Sequence, residues 1–424
     1  MSMQQIPDGW KKEVLGNLGY TFNGLTGKTK ADFGQGRPFI PYMNIFANSK
    51  VDRNFMSYVT ISDDENQSKV KYGDILLTTS SETPEEVGMS SVVLDNLSDT
   101  YLNSFSFGFR LHNFDSLLPE YGRYLFRGEE VRKLLSVLSQ GSTRFNLSKT
   151  ALLRKLSLLL PPLPEQRKIA KILSTVDEKM AVIDEQLVQT RELKKGLMQR
   201  LLTKGTGHAA FKDSLLGEIP ESWEVSLLDT VAKRGSGHTP SKSFPEYYDG
   251  EIKWISLGDS HRLDNRWIKE TKTSISALGI KNSSAVLHPA GTVLLSRDAG
   301  VGKSAVMREA MAVSQHFITW NCGPKLNNWF LYYFLQYNKP YFERIAAGST
   351  IKTIGLPFFK KLTIPVPPIM EQELIADILT TIDDKLQVLT DKKAQYQELK
   401  RGLMQQLLTG QRRVRIAQQE EALA

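Results

Sequence analysis

The stretch that decides the fold occurs twice in the chain. Residues 192–203 read ELKKGLMQRLLT, and residues 398–409 read ELKRGLMQQLLT, 206 residues later. Leucines that recur four positions apart in a proline-free run are typical of an amphipathic helix. Each copy also carries a glycine, Gly196 or Gly402, although glycine inside a helix costs about 1 kcal/mol relative to alanine. The repeat therefore predicts two closely related long helices. The role of the glycine in each helix needs an explanation.

The repeat extends well beyond this phrase. Ahead of the helices, PPLPEQ at residues 161–166 recurs as PPIMEQ at residues 367–372, at the same offset. The other matches keep their order in both halves. They are IPDGW (6–10) with IPESW (219–223), GKTK (27–30) with GHTP (237–240), GDILL (73–77) with GTVLL (291–295), VGMSSV (87–92) with VGKSAV (301–306), and GST (141–143) with GST (348–350). We interpret the chain as a tandem duplication.

The duplication predicts an α+β protein of four segments. They are a mixed α/β domain (1–160), a first long helix (161–206), a second mixed α/β domain (207–366), and a second long helix with a tail (367–424). Short apolar runs such as Ile75–Thr78 and Val293–Ser296 are typical of buried strands. Aromatic-rich helical stretches at residues 121–138 and 329–346 are expected to close the two domains.

The long helices carry a heptad pattern. In the first, predicted from Pro164 to Thr203, apolar residues recur in alternating steps of four and three, interrupted only by Thr190 and Lys194. Such a helix needs a partner to be stable. The simplest partner is the other copy, which gives an antiparallel coiled coil with pseudo-two-fold symmetry. The alternative is that each helix packs on its own domain.

Composition narrows the class of protein. The formal net charge is +8 and the sequence pI is about 9.2, which is compatible with nucleic-acid binding. A single cysteine, Cys322, excludes an internal disulfide. Residues 1–8 contain no apolar stretch, and the longest apolar run, near residues 156–163, is too short to span a bilayer. We therefore expect a cytoplasmic protein without a signal peptide or a membrane segment.

No motif in the sequence predicts catalysis. AGVGKS at residues 299–304 resembles a phosphate-binding loop, but Arg297 stands where the pattern needs its first glycine. Glu251 and Lys253 could belong to a metal-dependent nuclease, yet the first domain has no matching carboxylate near Pro38. The six histidines show no metal-ligand spacing. We expect neither a catalytic site nor a metal site.

Basic and polar turns remain as candidates for binding DNA. Arginine pairs with guanine and asparagine with adenine, whereas lysine and serine more often hold phosphates. For each residue an ordinary solvated loop is the alternative. The candidates are Thr26, Lys28, Thr29, Ser80, Ser81, Arg144, Asn146, Ser236, His238, Thr239, Arg297, Lys303 and Lys352.

The repeated phrase carries a second apolar stripe beside the heptad seam. This stripe is wider than a two-helix seam needs, so we expect a third surface to pack there, either the adjoining domain or another protein. The glycines would allow a close approach of another backbone, or they are simply tolerated. The partner-docking candidates are Leu193, Gly196, Met198, Leu202, Leu399, Gly402, Met404 and Leu408.

This architecture resembles the specificity subunit of type I restriction-modification enzymes. The resemblance rests on two divergent domains, each followed by a near-identical helix that carries PPLPEQ and LKKGLMQRLL, and it covers essentially the whole chain. The GHTP turn, the GST turns and the IPxxW openings are also similar to that family. The first copy departs at Lys30, where the family's turn usually has proline.

The resemblance implies separate roles for this chain and for its partner subunits. Each domain would be a target recognition domain that reads one half of an asymmetric bipartite double-stranded DNA site, and the paired helices would fix the spacing. Two methyltransferase (modification) subunits would dock on the helices, bind S-adenosylmethionine and methylate adenine, and motor-nuclease (restriction) subunits would add cleavage. The chain itself would hold no cofactor and catalyse nothing.

Two other classes stay open at this point. A scaffold protein that oligomerises through its helices would bind no DNA and no methyltransferase, which a pull-down would reveal. A stand-alone nuclease would require metal-dependent cleavage that disappears in Glu251→Ala.

Overall fold

The structure, a computed structural model, describes residues 6–416. Residues 1–5 and 417–424, which the sequence assigned to the first domain and to the C-terminal tail, lie outside the described residues. The chain forms two compact units. Unit 1 comprises residues 1–184 and 391–424, and unit 2 comprises residues 185–390. The units thus divide both long helices, whereas the predicted segments kept each helix whole.

Unit 1 begins with an α/β domain of twelve strands among the described residues. They are β1 (Lys11–Val14), β2 (Gly19–Asn23), β3 (Phe33–Ile40), β4 (Ser57–Val59), β5 (Ile75–Thr78), β6 (Ser80–Ser81), β7 (Ser90–Val92), β8 (Tyr101–Leu102), β9 (Ser106–Leu111), β10 (Ser139–Gln140), β11 (Phe145–Leu147) and β12 (Ser157–Leu160). Its helices are α1 (Leu15–Leu18), α2 (Tyr42–Ala47), α3 (Pro119–Leu125), α4 (Glu129–Leu138) and α5 (Lys149–Lys155), with 3₁₀ turns at Lys30–Asp32 and Pro84–Glu86.

A four-stranded antiparallel sheet organises this domain. Its strand order is β2-β9-β5-β7, and Ile75 pairs with Phe109 on one side and with Val92 on the other. Helix α3 packs its buried Tyr121 and Tyr124 against this sheet. A second sheet, β4-β3-β8, combines an antiparallel and a parallel pair. The predicted helical stretch 121–138 is thus two helices, α3 and α4, rather than one.

The first long helix, α6 (Leu163–Lys204), has 42 residues and contributes to both units. Unit 2 then repeats the plan of unit 1. Its strands are β13 (Phe211–Lys212), β14 (Ile219–Pro220), β15 (Glu224–Leu227), β16 (Ala232–Ser236), β17 (Tyr248–Ile255), β18 (Trp267–Ile268), β19 (Thr273–Ile275), β20 (Leu287–His288), β21 (Val293–Ser296), β22 (Ser304–Met307), β23 (Met311–Val313), β24 (Phe317–Cys322) and β25 (Thr363–Val366). Its helices are α7 (Leu228–Val231), α8 (Ala277–Lys281), α9 (Asn328–Tyr337), α10 (Lys339–Ile345) and α11 (Leu356–Lys360), with 3₁₀ turns at Pro245–Tyr247 and Leu257–Arg262, and the second long helix follows as α12 (Ile369–Leu408).

Sheet topology establishes the duplication at the level of the fold. The central sheet of unit 2 has the order β16-β24-β21-β22-β18, in which the first four strands repeat β2-β9-β5-β7. The parallel pair of β17 with β23 likewise repeats that of β3 with β8. The chain is therefore an α+β tandem duplication, as the sequence predicted.

Ion pairs give the direction of the two long helices within each unit. In unit 1, Asp177 pairs with Lys400 at 2.5 Å, and Asp184, seven residues on, pairs with Lys393, seven residues back. Only antiparallel helices show this pattern. In unit 2, Lys194 pairs with Asp383 at 2.6 Å. These two residues are the repeat counterparts of Lys400 and Asp177, so the same contact occurs twice.

Burial follows the predicted heptad seam. The buried seam residues include Ile169, Leu173, Val176, Ile183, Leu187, Thr190 and Leu201 of α6, and Ile375, Leu379, Leu389 and Leu407 of α12. The seam residues at both ends of each helix also join the domain cores. The helices consequently pack on each other and on the domains, so that both alternatives left open by the sequence are realised.

A polar cluster, here called the clamp, ties the helix pair to each domain. In unit 1, Tyr124 of α3 donates to Asp177 (2.8 Å), and Lys400 lies over the Tyr124 ring at 5.5 Å. In unit 2, Tyr333 of α9 donates to Asp383 (2.9 Å), and Lys194 lies over the Tyr333 ring at 5.7 Å. The clamp explains why the seam tolerates a lysine at position 194.

The repeated glutamine has one task in both copies. In unit 1, Gln166 accepts from the Leu118 N–H (2.9 Å) and donates to the carbonyls of Ser116 and Pro161. Gln372 does the same in unit 2, where it accepts from the Asn327 N–H and donates to Lys325 and Pro367. Each glutamine thereby fixes the loop that starts α3 or α9 onto the start of the long helix.

The repeated glutamate binds the tryptophan of the IPxxW opening. The indole N–H of Trp10 donates to Glu165 (3.1 Å), and that of Trp223 donates to Glu371 (2.9 Å). Glu371 also accepts from the Thr206 N–H and lies 2.7 Å from His208 Nε2. Burial opposes the ionised form of Glu371, but these hydrogen bonds outweigh it, so the pKa of this carboxyl lies below its ordinary value.

We predict that Glu371→Ala lowers the free energy of unfolding of unit 2 by about 2 kcal/mol, because it leaves the Trp223 indole and the Thr206 amide without an acceptor. Thermal unfolding of the full chain measures the loss. Since the pKa is lower in the folded state, this stabilisation is complete above the ordinary glutamate value of 4.5 and disappears as the pH falls through the folded value.

Glu373→Ala is the matched control, because Glu373 is exposed on the same turn of α12. It should leave the unfolding temperature unchanged at pH 7. Equal effects of the two substitutions would contradict the role given to Glu371.

Candidate nucleic-acid interface

In unit 1, a small three-stranded sheet brings four of the predicted DNA-binding residues together. Strand β11 pairs with β6, so that Asn146 lies opposite Ser80 and Phe145 opposite Ser81. The preceding turn requires glycine at Gly141, because its φ is +137° and a Cβ would lie 2.0 Å from the Arg144 carbonyl. This turn returns Arg144 to Ser80, the first residue of β6.

Three of these residues, Ser80, Ser81 and Arg144, line a concavity on unit 1. The Arg144 Nε donates to Ser80 Oγ (3.1 Å), and Ser81 Oγ donates to Glu86 (3.0 Å). The Tyr42 hydroxyl donates to the Ser80 carbonyl (3.3 Å), and burial raises the pKa of Tyr42, which keeps the hydroxyl a donor. The concavity is lined by Tyr42, Met43, Phe46, Ser80, Ser81, Glu82, Glu86, Phe105, Thr143 and Arg144.

Unit 2 builds the same backbone arrangement. A bridge joins Asp298 to Thr353, as β6 joins β11. The Ile354 N–H donates to the Arg297 carbonyl at 2.9 Å, and in unit 1 the Leu147 N–H donates to the Thr79 carbonyl at 2.9 Å. Gly348 has a φ of +126° and repeats the role of Gly141.

The side chains on this shared backbone differ between the units. In unit 2, Asp298 lies 2.9 Å from His316 Nδ1 and accepts from the Thr353 hydroxyl. Arg297 donates to the carbonyls of Ile354 and Gln315, and Thr239 donates to the Gln315 side chain (2.6 Å). By backbone pairing, the counterparts are Ser80 and Asp298, Phe105 and His316, Arg144 and Ile351, and Asn146 and Thr353.

Three predicted candidates in unit 1 lie apart from this cluster and contact a different loop. Thr26 exchanges hydrogen bonds with Gln67, and Thr29 caps the turn at Asp32. Lys28 pairs with Glu65, its side chain is only 7% exposed, and the bond from Lys28 lowers the pKa of Glu65 to about 2. The charge of Lys28 is thus already paired within the domain, and its contact with DNA stays a prediction.

In unit 2, the remaining candidates are scattered. Lys352 is exposed beside the cluster, where its carbonyl accepts from the Ala299 N–H. His238 is exposed, and the Ser236 carbonyl lies 3.3 Å from His288 Nε2. The Lys303 ammonium donates to the Ser260 carbonyl (3.1 Å), so it serves loop packing.

The structure corrects one match between the two halves. The Leu25 N–H donates to the Leu102 carbonyl just as the His238 N–H donates to Val313. An added Cβ would lie 1.9 Å from a carbonyl oxygen at Gly24 and 1.7 Å from one at Gly237. The counterpart of the GHTP turn is therefore residues 24–27, not 27–30, because the close backbone approach requires glycine at that point.

The residues of the two clusters that were not predicted include Tyr42, Phe105, Gln315 and His316. They come from the segments before β9 and β24 and from the helix after β3. Their side chains differ between the halves, so the repeat gave no match there. A strand-by-strand alignment of β9 with β24 would have placed Phe105 opposite His316.

The partner-docking candidates divide into two groups. Leu202 and Leu408 are buried in the cores of unit 2 and unit 1, and Met198 and Met404 are half-buried against those cores. The domains therefore already cover Leu202 and Leu408, which is one of the two alternatives for this stripe, and docking of a partner there stays a prediction. By contrast, Leu193 and Leu399 are exposed, and a Cβ added at Gly196 or Gly402 would meet nothing within 4 Å.

Neither a helix that could span a membrane nor a cluster of metal ligands occurs among the described residues, 6–416. No helix there is long and apolar enough to cross a bilayer. No group of three or more histidine, cysteine, aspartate or glutamate side chains within the same range could hold a metal ion.

Comparison with known proteins places the chain in a family. The family model described as type I restriction modification DNA specificity domain matches residues 7–190 and again residues 220–398. A Methanocaldococcus jannaschii protein assigned as the specificity subunit of a type I restriction enzyme, MjaX, is 29% identical over 419 residues, which cover 97% of this chain and 95% of that protein.

Solved structures share the fold over nearly the whole chain. The type I restriction-modification system S subunit from M. genitalium matches with a TM-score of 0.57 and 14% identity, covering 96% of this chain and 98% of the other. The HsdS subunit from Thermoanaerobacter tengcongensis matches with a TM-score of 0.50 and 18% identity, covering 96% and 99%. With two matched domains and this fold, the chain belongs to the type I restriction modification DNA specificity family.

Proposed function

We propose that each unit reads one half of an asymmetric bipartite site in double-stranded DNA. The observation that carries this proposal is the cluster described above, which occurs twice on the same backbone but with different side chains. Equal backbones would dock on DNA in equivalent ways, and unequal side chains at four matched positions would select different bases. Two half-site contacts on one chain also gain affinity through effective concentration when the spacing fits.

The paired helices would set the gap between the half-sites. Helix α6 has 42 residues and α12 has 40, so each is about 60 Å long at 1.5 Å per residue. Ion pairs fix their antiparallel register in both units. A continuous helix with a fixed register is a stiff spacer, which is the property that a ruler needs.

A repeated exposed surface supports two equivalent docking sites for a partner. It consists of Leu193 and Gly196 on α6, within unit 2, and of Leu399 and Gly402 on α12, within unit 1, at matched positions. We call it the repeated apolar face. Leu193 and Leu399 are 49% and 48% exposed. The spacing puts each set on one side of its helix.

The partners follow from the family's role in type I restriction-modification. Two methyltransferase (modification) subunits would dock on the repeated apolar face, bind S-adenosylmethionine and methylate adenine. Motor-nuclease (restriction) subunits would add cleavage where they are present. This chain would act in the cytoplasm as the non-catalytic specificity subunit, without a cofactor of its own.

For recognition, we predict that Arg144→Ala relaxes sequence preference at one half-site only. The Arg144 Nε binds Ser80, while its two terminal nitrogens make no hydrogen bond within residues 6–416, so they are available to a guanine edge. Loss of a bidentate contact should weaken binding by roughly tenfold. Mapping of methylated adenines with the methyltransferase partner gives the preference.

Arg154→Ala is the control for charge alone, since Arg154 is an exposed arginine of α5 outside the cluster. It should change affinity equally for all sequences. If Arg144→Ala relaxes both half-sites or neither, the assignment of the unit 1 cluster to one half-site is wrong.

For docking, we predict that Leu193→Asp combined with Leu399→Asp weakens capture of the methyltransferase by roughly tenfold to a hundredfold, because each change puts a charge into an apolar contact. A pull-down from cells that express both proteins measures this. Val137→Asp, at an apolar residue of α4 that is 82% exposed, is the matched control and should leave capture intact. Unchanged capture by the double variant would exclude the repeated apolar face as the docking site.

A further inference from the structure

Phe105 carries an aromatic side chain that is exposed to solvent, and hydrogen bonds of its backbone fix its position. It is 61% exposed, although phenylalanine usually lies in the interior. The Phe105 N–H donates to Asn103 Oδ1 (2.9 Å), and its carbonyl accepts from the Thr79 N–H (3.0 Å). The ring is therefore presented at a fixed place in the concavity of unit 1.

Further apolar surface adjoins Phe105. The rings of Tyr42 and Phe46 stack at 5.8 Å, and Met43 beside them is 51% exposed. These three residues belong to α2. The buried Arg127 guanidinium holds the end of α2 by donating to the carbonyls of Ile45 (2.7 Å), Phe46 (2.9 Å) and Asn48 (2.9 Å). The apolar part of the concavity is thus preformed.

The charges around this surface exclude a phosphate as its occupant. The carboxylates of Glu82 and Glu86 lie on the same concavity as Arg144. Two carboxylates repel the DNA backbone, whereas base edges present amino groups to carboxylates and guanine acceptors to arginine. The base feature that fits an aromatic and methionine surface is the 5-methyl group of thymine.

We propose that Phe105 is a specificity-determining residue, and that its ring contacts the 5-methyl group of a thymine in the half-site read by unit 1. This inference rests on the proposed function and adds the chemical feature that is read. At the matched position, unit 2 places His316, whose ring nitrogen is paired with Asp298. The thymine contact is therefore a property of unit 1 alone.

The test replaces each thymine of the mapped site, one at a time, with deoxyuridine, which lacks only the 5-methyl group. Binding of these duplexes by the complex of this chain with its methyltransferase is measured at one salt concentration. We expect a single thymine in one half-site whose replacement weakens binding about fourfold, the factor expected for one buried methyl-sized group.

The variants then assign that effect. Phe105→Ala should lose the response at that thymine and at no other, while Phe105→Leu, which keeps apolar contact, should retain it. Phe244→Ala, at a phenylalanine of unit 2 that is 46% exposed and lies outside the cluster, is the control and should also retain it. Because the Phe105 side chain is exposed, the fold of Phe105→Ala can be checked by its unchanged unfolding temperature.

Three results overturn the inference: a recognised site in which no thymine responds, a response that persists in Phe105→Ala, or a response that disappears in Phe244→Ala. Each of these leaves sequence-specific binding in place and so contradicts only the thymine contact. A complex that shows no preference among duplexes would contradict the proposed function itself.

Discussion

The aspartate of the clamp is the constraint on which the arrangement of domain and helices depends. Asp177 and Asp383 lie beside an apolar seam, with 18% and 12% of their side chains exposed. A carboxylate so placed needs both a counter-charge and a hydrogen bond. The tyrosine of the domain supplies the hydrogen bond, and the lysine of the opposite long helix supplies the counter-charge. Three elements are thereby fixed at once, and only one helix direction and one register satisfy the pair.

Two kinds of repeated element surround this constraint: motifs whose contacts are alike in both units, and clusters whose side chains differ between the units. The glutamine and glutamate of each PPxxEQ motif lock the helix start to the loop before α3 or α9 and to the tryptophan of the opening motif. These contacts are the same in both units. The clusters at the sheet ends instead keep only their glycines and backbone bonds, and they differ in side chains such as Phe105 and His316. A common frame with unlike side chains at the sheet ends is what the proposed asymmetric DNA site would require.

Periodicity and repetition made much of this fold predictable. The heptad seam, the bounds of the first long helix to within about one residue, and the α+β duplication followed from patterns that the backbone imposes on sequence. The sequence shows that Lys194 is a polar exception in an apolar heptad seam. It does not show that Asp383 is the partner of Lys194, because that pairing depends on how the two helices meet.

The site was less predictable for a physical reason. Ser80 and Arg144 are 64 residues apart in sequence, and only the turn at Gly141 brings them together. Lys28 has the sequence features of a phosphate contact, yet Glu65 neutralises it. Gly24 was overlooked in favour of Gly27 because the need for glycine comes from the distant carbonyl of Asn103. Leu202 and Leu408 likewise belong to cores that local sequence does not reveal.

The most direct test of the ruler is a matched insertion. Seven residues that continue the heptad are added to both long helices, after Asp184 in α6 and after Thr390 in α12, so that Asp177–Lys400 and Lys194–Asp383 still pair. The adenines methylated by the assembled complex are then mapped. The account predicts unchanged half-sites and a gap longer by about 3 base pairs, since seven residues add about 10 Å of helix. Altered half-sites, or an unchanged gap, would contradict it.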